Sequence, residues 1–424
     1  MMKKFSIILA AAIMTACGVQ KPVASELLSP EAERLSSVVV RSEMQRCPDA
    51  TYLDGMEGTL KWNYTTGLEL KAFLDVYEIS RLATLARNDN DLSSRPEQSG
   101  VERSVFDYVK AWYDAAINEN GEIYNYKKSN FSTDHICPGR TLFQLYDLTG
   151  DPRYRKAMDV LYDQLLEQPR TPEGGFWHKQ VYPNQMWLDG LYMAQPFYAE
   201  YTARYVTDPA QRQRSFDDIV HQFETVYHYT YDVETGLLRH AWDASHEMFW
   251  CDPATGRSAH AWGRALGWYC MALVDVIEIL PEGEGRASLA ALLQDLYDVL
   301  PRYADPETGM WYQVLDQPGR EGNYVEATAS AMFVYAWLKG IRLGVLDGQD
   351  GLDEARAAYD ALLRTFVTEE DGLVTLHRCC EVAGLGGKQN RSGDYDYYIN
   401  ERVRDNDPKG IGPLIWAALE YERL

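Results

Sequence analysis

An aspartate stands at position 189 within NQMWLDGLYMAQPFYAEY, residues 184–201. Read as a helix, steps of three or four from Asp189 reach Met186, Met193 and Phe197, with Gly190 beside that face. A carboxylate set in an apolar stripe is desolvated, which raises its pKa and fits it for general acid catalysis near neutrality. The plainer reading is a capping Asp, or a buried one bound to backbone amides. A second acid, Asp134, lies in NFSTDHICPGRTLFQLY ahead of Pro138. It either complements the dipole of the helix opened by Pro138 or shares a cleft with Asp189. In a shared cleft, two carboxylates push each other's pKa values apart.

His178 and His240 each sit beside a Trp in a Gly-aromatic turn, GFWHKQ and GLLRHAW. A lone His is more often structural than catalytic, but two at equivalent turns suggest one shared mouth. HAWGRALGWY sets His260, Arg264 and Trp268 at i, i+4 and i+8 of a predicted helix. Arg264 between Trp262 and Trp268 could fork onto a carboxylate while a ring stacks on a sugar. It could equally be a surface Arg packed on aromatics. No HxH or HxxxH spacing accompanies the aspartates, so no metal and no cofactor is expected.

The elements that must position these residues repeat. Gly-led aromatic turns begin at Gly58, Gly121, Gly175, Gly236, Gly309 and Gly372, between 54 and 73 residues apart. Mostly two segments of helical periodicity fill each interval, and TGDPRYRKAMD and VTDPAQRQRSFDD close one helix and open the next. Six helical hairpins make a repeat architecture. Stacked hairpins form a solenoid by default, yet six also suit closure into an all-α (α/α)6 toroid. The period does not separate the two. No βαβ alternation or phosphate-binding Gly loop is present.

Composition narrows the class. Of 424 residues, 46% are apolar and 25% charged, which excludes a disordered chain or a multi-span membrane protein. A net charge of −22 repels phosphate backbones and argues against a nucleic-acid partner. The 29 Tyr and 11 Trp suit a cleft that handles rings. Lys3 and Lys4 precede FSIILAAAIM, a run too short to span a bilayer, and MTAC follows. This resembles a bacterial lipobox. Residues 1–16 are then a signal peptide, Cys17 is lipidated, residues 17–40 are a tether, and 41–424 form one catalytic domain. The expected address is an exported lipoprotein, periplasmic or anchored in the cell envelope, touching membrane through its lipid alone. The six later cysteines have neither CxxC nor zinc-finger spacing and read as buried small hydrophobes.

From Trp62 to the C-terminus the chain resembles glycoside hydrolase family 105, the unsaturated rhamnogalacturonyl hydrolases, relatives of the family 88 unsaturated glucuronyl hydrolases. The pieces include TDHICPGRTLFQLYDLTGD, GFWHK, QMWLDGLYM, RHAWD, HAWGRALGWY, CCEVAGLGG and RDNDPKGIGP, and their order and spacing carry the match. The resemblance implies an (α/α)6 barrel that takes oligosaccharides left by polysaccharide lyases and removes the Δ4,5-unsaturated uronic acid at the non-reducing end. It implies hydration of the C4=C5 vinyl ether, with Asp189 giving a proton to C4 and taking one from the water that adds at C5. Asp134 matches the second aspartate of the family. His178, Trp187, His240, Trp262, Arg264 and Trp268 match pocket positions, and Tyr64 matches less closely. Two departures stand out: Arg-Ala-Leu-Gly-Trp replaces the Arg-Gly-Asn-Gly-Trp of many relatives, and HEMFWCDPATGRSAH lengthens the fourth unit. Competing readings are an unsaturated glucuronidase on arabinogalactan, glycosaminoglycan or ulvan fragments, and a helical glycan-binding lipoprotein without catalysis.

Overall fold

The computed structural model of the protein describes residues 34–53, 60–86, 96–346 and 349–424. The signal peptide, Cys17 and the Gly58 turn lie outside the described residues. Six helices form an inner ring: Tyr64–Ala86, Arg140–Thr149, Leu188–Tyr205, Gly263–Ile279, Ala327–Arg342 and Pro408–Tyr421. Six others back them: Leu35–Arg46, Pro96–Ala116, Pro152–Leu166, Pro209–Thr230, Glu284–Tyr297 and Gln349–Phe366. The last inner helix packs against the first, so the hairpins close into a toroid rather than run on as a solenoid. The inner helix Gly263–Ile279 is apolar nearly all round because both its faces meet protein. Every residue from Gly263 to Ile277 is buried.

The helix starts follow the sequence punctuation. Asp151, Asp208 and Asp407 each cap a helix through the side chain, and a Pro occupies the first turn each time. The turns between outer and inner helices also share one form. Antiparallel bridges join Ile117 to Ile123, Arg170 to Phe176, Tyr231 to Leu238 and Ala304 to Trp311, and Val367–Glu370 pairs with Leu373–Leu376. Gly121, Gly236, Gly309 and Gly372 turn these hairpins at φ between 73° and 83°, a region that only glycine enters freely. In the third unit Gly174, at φ 92°, takes that position rather than Gly175. Each hairpin feeds the N-terminal end of an inner helix, so all of them gather at one mouth.

Three sequence expectations change. The helix Leu35–Arg46 begins inside the segment assigned to a tether and packs on the last inner helix, so the folded unit starts before residue 41. Met186 does not share a helical face with Asp189; it lies in the strand Gln185–Trp187, and the helix starts at Leu188. His260 precedes the helix Gly263–Ile279, which Trp262 caps, and it pairs instead with Asp316 at 2.9 Å.

Candidate active site

A lacing of backbone hydrogen bonds fixes the mouth. The Thr133 amide donates to the His178 carbonyl at 3.1 Å, and the His178 amide donates to Gln185 at 2.8 Å. The Leu188 amide donates to His240, and the His240 amide to His260, each at 3.1 Å. Strand Gln185–Trp187 pairs antiparallel with Ala241–Asp243. Candidate residues from three units are thereby held by main chain rather than by loose side chains. Gly190 permits a close approach of His178: a Cβ there would meet His178 Nδ1 at 3.0 Å.

Asp189 sits in the first turn of its inner helix. His240 Nε2 stands 3.3 Å from Asp189 Oδ2, and His240 is fully buried. Burial pushes the Asp189 carboxyl up, but the neighbouring His240 imidazole, the nearby His178 ring and backbone hydrogen bonding outweigh it and hold the group below the usual carboxylate range. This corrects the expected rise. The neighbours of Asp189 are imidazoles and a helix N-terminus, which favour the anion, rather than an apolar stripe.

Asp134 occupies a short 3-10 turn, Thr133–His135. Lys179 Nζ pairs with its Oδ2, and His178 Nε2 lies 3.5 Å from its Oδ1. Burial raises its pKa, and Lys179 and His178 more than reverse this. Each carboxylate is therefore stabilised by its own cationic or imidazole partner, and neither is raised by the other. His178 is pushed down to about 4, mainly by burial, so its ring is neutral at pH 7. Thr133 Oγ1 lies 3.1 Å from its Nδ1.

Aromatics wall the cleft. Trp187 stacks on His178 at 4.7 Å and on Tyr182 at 4.9 Å, and meets His240 edge-on. Trp250, from the lengthened fourth unit, joins Trp187 and Leu385 in a small cluster of its own. Asp243 ties that insertion down by accepting from the Ser245, Glu247 and Met248 amides. Arg264 lies over the Trp262 ring at 4.8 Å and donates through Nη1 to the Cys380 carbonyl. Tyr64 is within the electrostatic reach of Asp134, Arg264 and Asp189. Trp268 lies deeper, packed against Tyr192 at 4.8 Å and edge-on to Tyr64 at 6.3 Å; it braces the pocket from behind.

The mouth thus unites Asp134, His178, Trp187, Asp189, His240, Trp262, Arg264 and Tyr64. Sequence reasoning missed Lys179 and Tyr398. Lys179 directly follows His178 and was legible from that alone. Tyr398, whose hydroxyl lies 2.7 Å from His240 Nδ1, is 158 residues away and leaves no spacing signal. Among the described residues, no group of three or more His, Cys, Asp or Glu is placed to hold a metal ion, and the six cysteines are free thiols.

The closed ring of helical hairpins is thus a toroid with a carboxylate cleft at its inner-helix N-termini. The profile of Glycosyl Hydrolase Family 88 matches residues 35–424, and the chain belongs to that family. A glycoside hydrolase from family 105 of C. acetobutylicum ATCC 824 superposes with a TM-score of 0.82 at 39% identity, over 92% of this chain and 100% of that one. The 24.9 kDa protein in the picA locus of Rhizobium radiobacter is 40% identical over 235 residues, 54% of this chain and 97% of that protein. An unsaturated glucuronyl hydrolase specific for heparin shares the fold at a TM-score of 0.58 and 13% identity, over 92% and 96% of the two chains.

Proposed function

We propose that the protein hydrates the C4=C5 bond of a Δ4,5-unsaturated uronic acid at the non-reducing end of lyase-generated pectic oligosaccharides of the rhamnogalacturonan type. The observation that carries this reading is the Asp189–His240 pair, 3.3 Å apart at the mouth. In the free site Asp189 is ionised. A substrate carboxylate entering the cleft, and the water it expels, both favour the protonated form, so the acid is charged as substrate binds. Asp189 then gives its proton to C4. The cation left at C5 and the ring oxygen is stabilised by the new carboxylate. Water adds at C5 and returns a proton to Asp189. The hemiketal opens to a C5 ketone, the resulting hemiacetal at C1 collapses, and the remaining oligosaccharide leaves as an alcohol. Arg264 keeps donors beyond the one given to Cys380 and is the proposed partner of the uronate carboxylate. Asp134, held by Lys179 and His178, orients the sugar.

The test is loss of the ultraviolet absorbance of the conjugated double bond on mixing with lyase digests of rhamnogalacturonan, arabinogalactan, glycosaminoglycan and ulvan. Turnover of the rhamnogalacturonan digest supports the pectic reading, and preference for another digest replaces it with the corresponding glucuronidase. Binding without loss of absorbance would make the protein a glycan-binding module. We further propose export as a lipoprotein anchored through Cys17.

A further inference from the structure

We infer that Tyr398 is a positioning residue that sets which nitrogen of His240 faces Asp189 with a proton, an inference that rests on the proposed acid–base role of Asp189. Tyr398 lies on the short helix Tyr395–Ile399 and is fully buried. Its ring stacks on Trp262, 5.9 Å away at 21°, and Trp262 packs against His240 at 4.8 Å. The phenol is thereby fixed with its oxygen 2.7 Å from His240 Nδ1. Nδ1 is thereby engaged by Tyr398, and Nε2 is left facing Asp189 Oδ2 at 3.3 Å.

A phenol both donates and accepts. Burial pushes its pKa well up, so it keeps its own proton. In the proton-poor site the hydroxyl donates to Nδ1, which leaves Nε2–H facing ionised Asp189. When the pair takes up one more proton, Nδ1–H donates to the phenol oxygen instead. One rotation of the hydroxyl thus partners Nδ1 in both states. Other groups facing the pair are His178 from the third hairpin, with Asp134 and Lys179 behind it, and Asp316 and Arg391 on the Tyr398 side. Arg264 lies over the Trp262 ring.

Tyr398→Phe keeps the ring and removes the oxygen. The bond lost from the protonated state is charge-assisted and so stronger than the one lost from the neutral state. The variant should therefore hold the proton less well. We expect kcat to fall about tenfold, KM to change less than about twofold, and the alkaline limb of kcat/KM to move down by about half to one pH unit. A purely structural role would lower activity at every pH without moving that limb. Wild-type pH limbs in Tyr398→Phe overturn the inference. Should that variant fold poorly, histidine ¹⁵N spectra of the wild-type protein decide: above the alkaline limb the His240 proton is expected on Nε2, and finding it on Nδ1 overturns the inference. Asp189→Asn separates the two levels. If it is inactive while Tyr398→Phe is unshifted, only the Tyr398 role fails; if it is active, the acid–base reading beneath it fails.

Discussion

Asp189 Oδ2 and His240 Nε2, both buried, stand 3.3 Å apart, and neither has a hydrogen-bonding partner elsewhere in the described structure. His240 beside it helps hold the Asp189 carboxyl below the usual carboxylate range. A carboxylate in that state is a better base than acid, and its acid form must be made by the arrival of substrate. Activity on a fixed substrate should accordingly fall as pH rises, because proton uptake by the pair becomes harder.

Arg264 is stacked on Trp262 and bonded to the Cys380 carbonyl. A lysine could replace its charge but not make that bond and a fork to a carboxylate together. Arg264→Lys should lower kcat/KM by about tenfold or more, and Arg264→Ala by more still, measured by steady-state loss of double-bond absorbance. Normal kinetics in Arg264→Ala would remove it as the carboxylate partner.

The hairpin count, the Asp-Pro helix starts and the gathering of turns at one mouth were legible because each is a local device repeated along the chain. Ring closure was legible from the family resemblance but not from the repeat, because it depends on Pro408–Tyr421 meeting Tyr64–Ala86, which no period encodes. Asp189 was found, but its environment was misjudged. Helical stepping placed Met186 beside it, whereas a strand ends at Trp187 and brings His240 there through Ala241. Lys179 was one residue from a named His. Tyr398 comes from a distant segment that only the tertiary fold delivers.

A buried network below the mouth should govern stability. Asp275 accepts from Arg140 at 2.7 Å, Tyr335 at 2.6 Å and Lys339 at 2.8 Å. Burial opposes its charge, but Lys339 and Arg140 hold its pKa well below the ordinary value. Its stabilisation is therefore present above the unfolded-state pKa and is lost as pH falls below it. Asp275→Ala leaves buried Arg140 without its carboxylate and Lys339 with Glu278 alone, and should cost about 3–5 kcal/mol in denaturant unfolding at neutral pH. A loss under about 1 kcal/mol would mean that water enters and solvates the cations.

Cys17→Ser should release the protein from the membrane fraction of a producing bacterium, since the MTAC site would no longer accept lipid. Unchanged partitioning would show that Cys17 carries no anchor.

Exhaustive chelation should leave full activity, because the proposed chemistry runs on carboxylate and imidazole protons. Activity lost to chelator and restored by one divalent ion would contradict that.

The central claim is that Asp189 is both the proton donor and the base. Asp189→Asn preserves shape and can still hydrogen-bond to His240, but it carries no transferable proton. Steady-state turnover of an unsaturated oligosaccharide, with binding followed by calorimetry, tests this most directly. The account predicts kcat lowered by about 10²–10⁴-fold with substrate still bound. A folded Asp189→Asn protein that turns over at near wild-type kcat would contradict it.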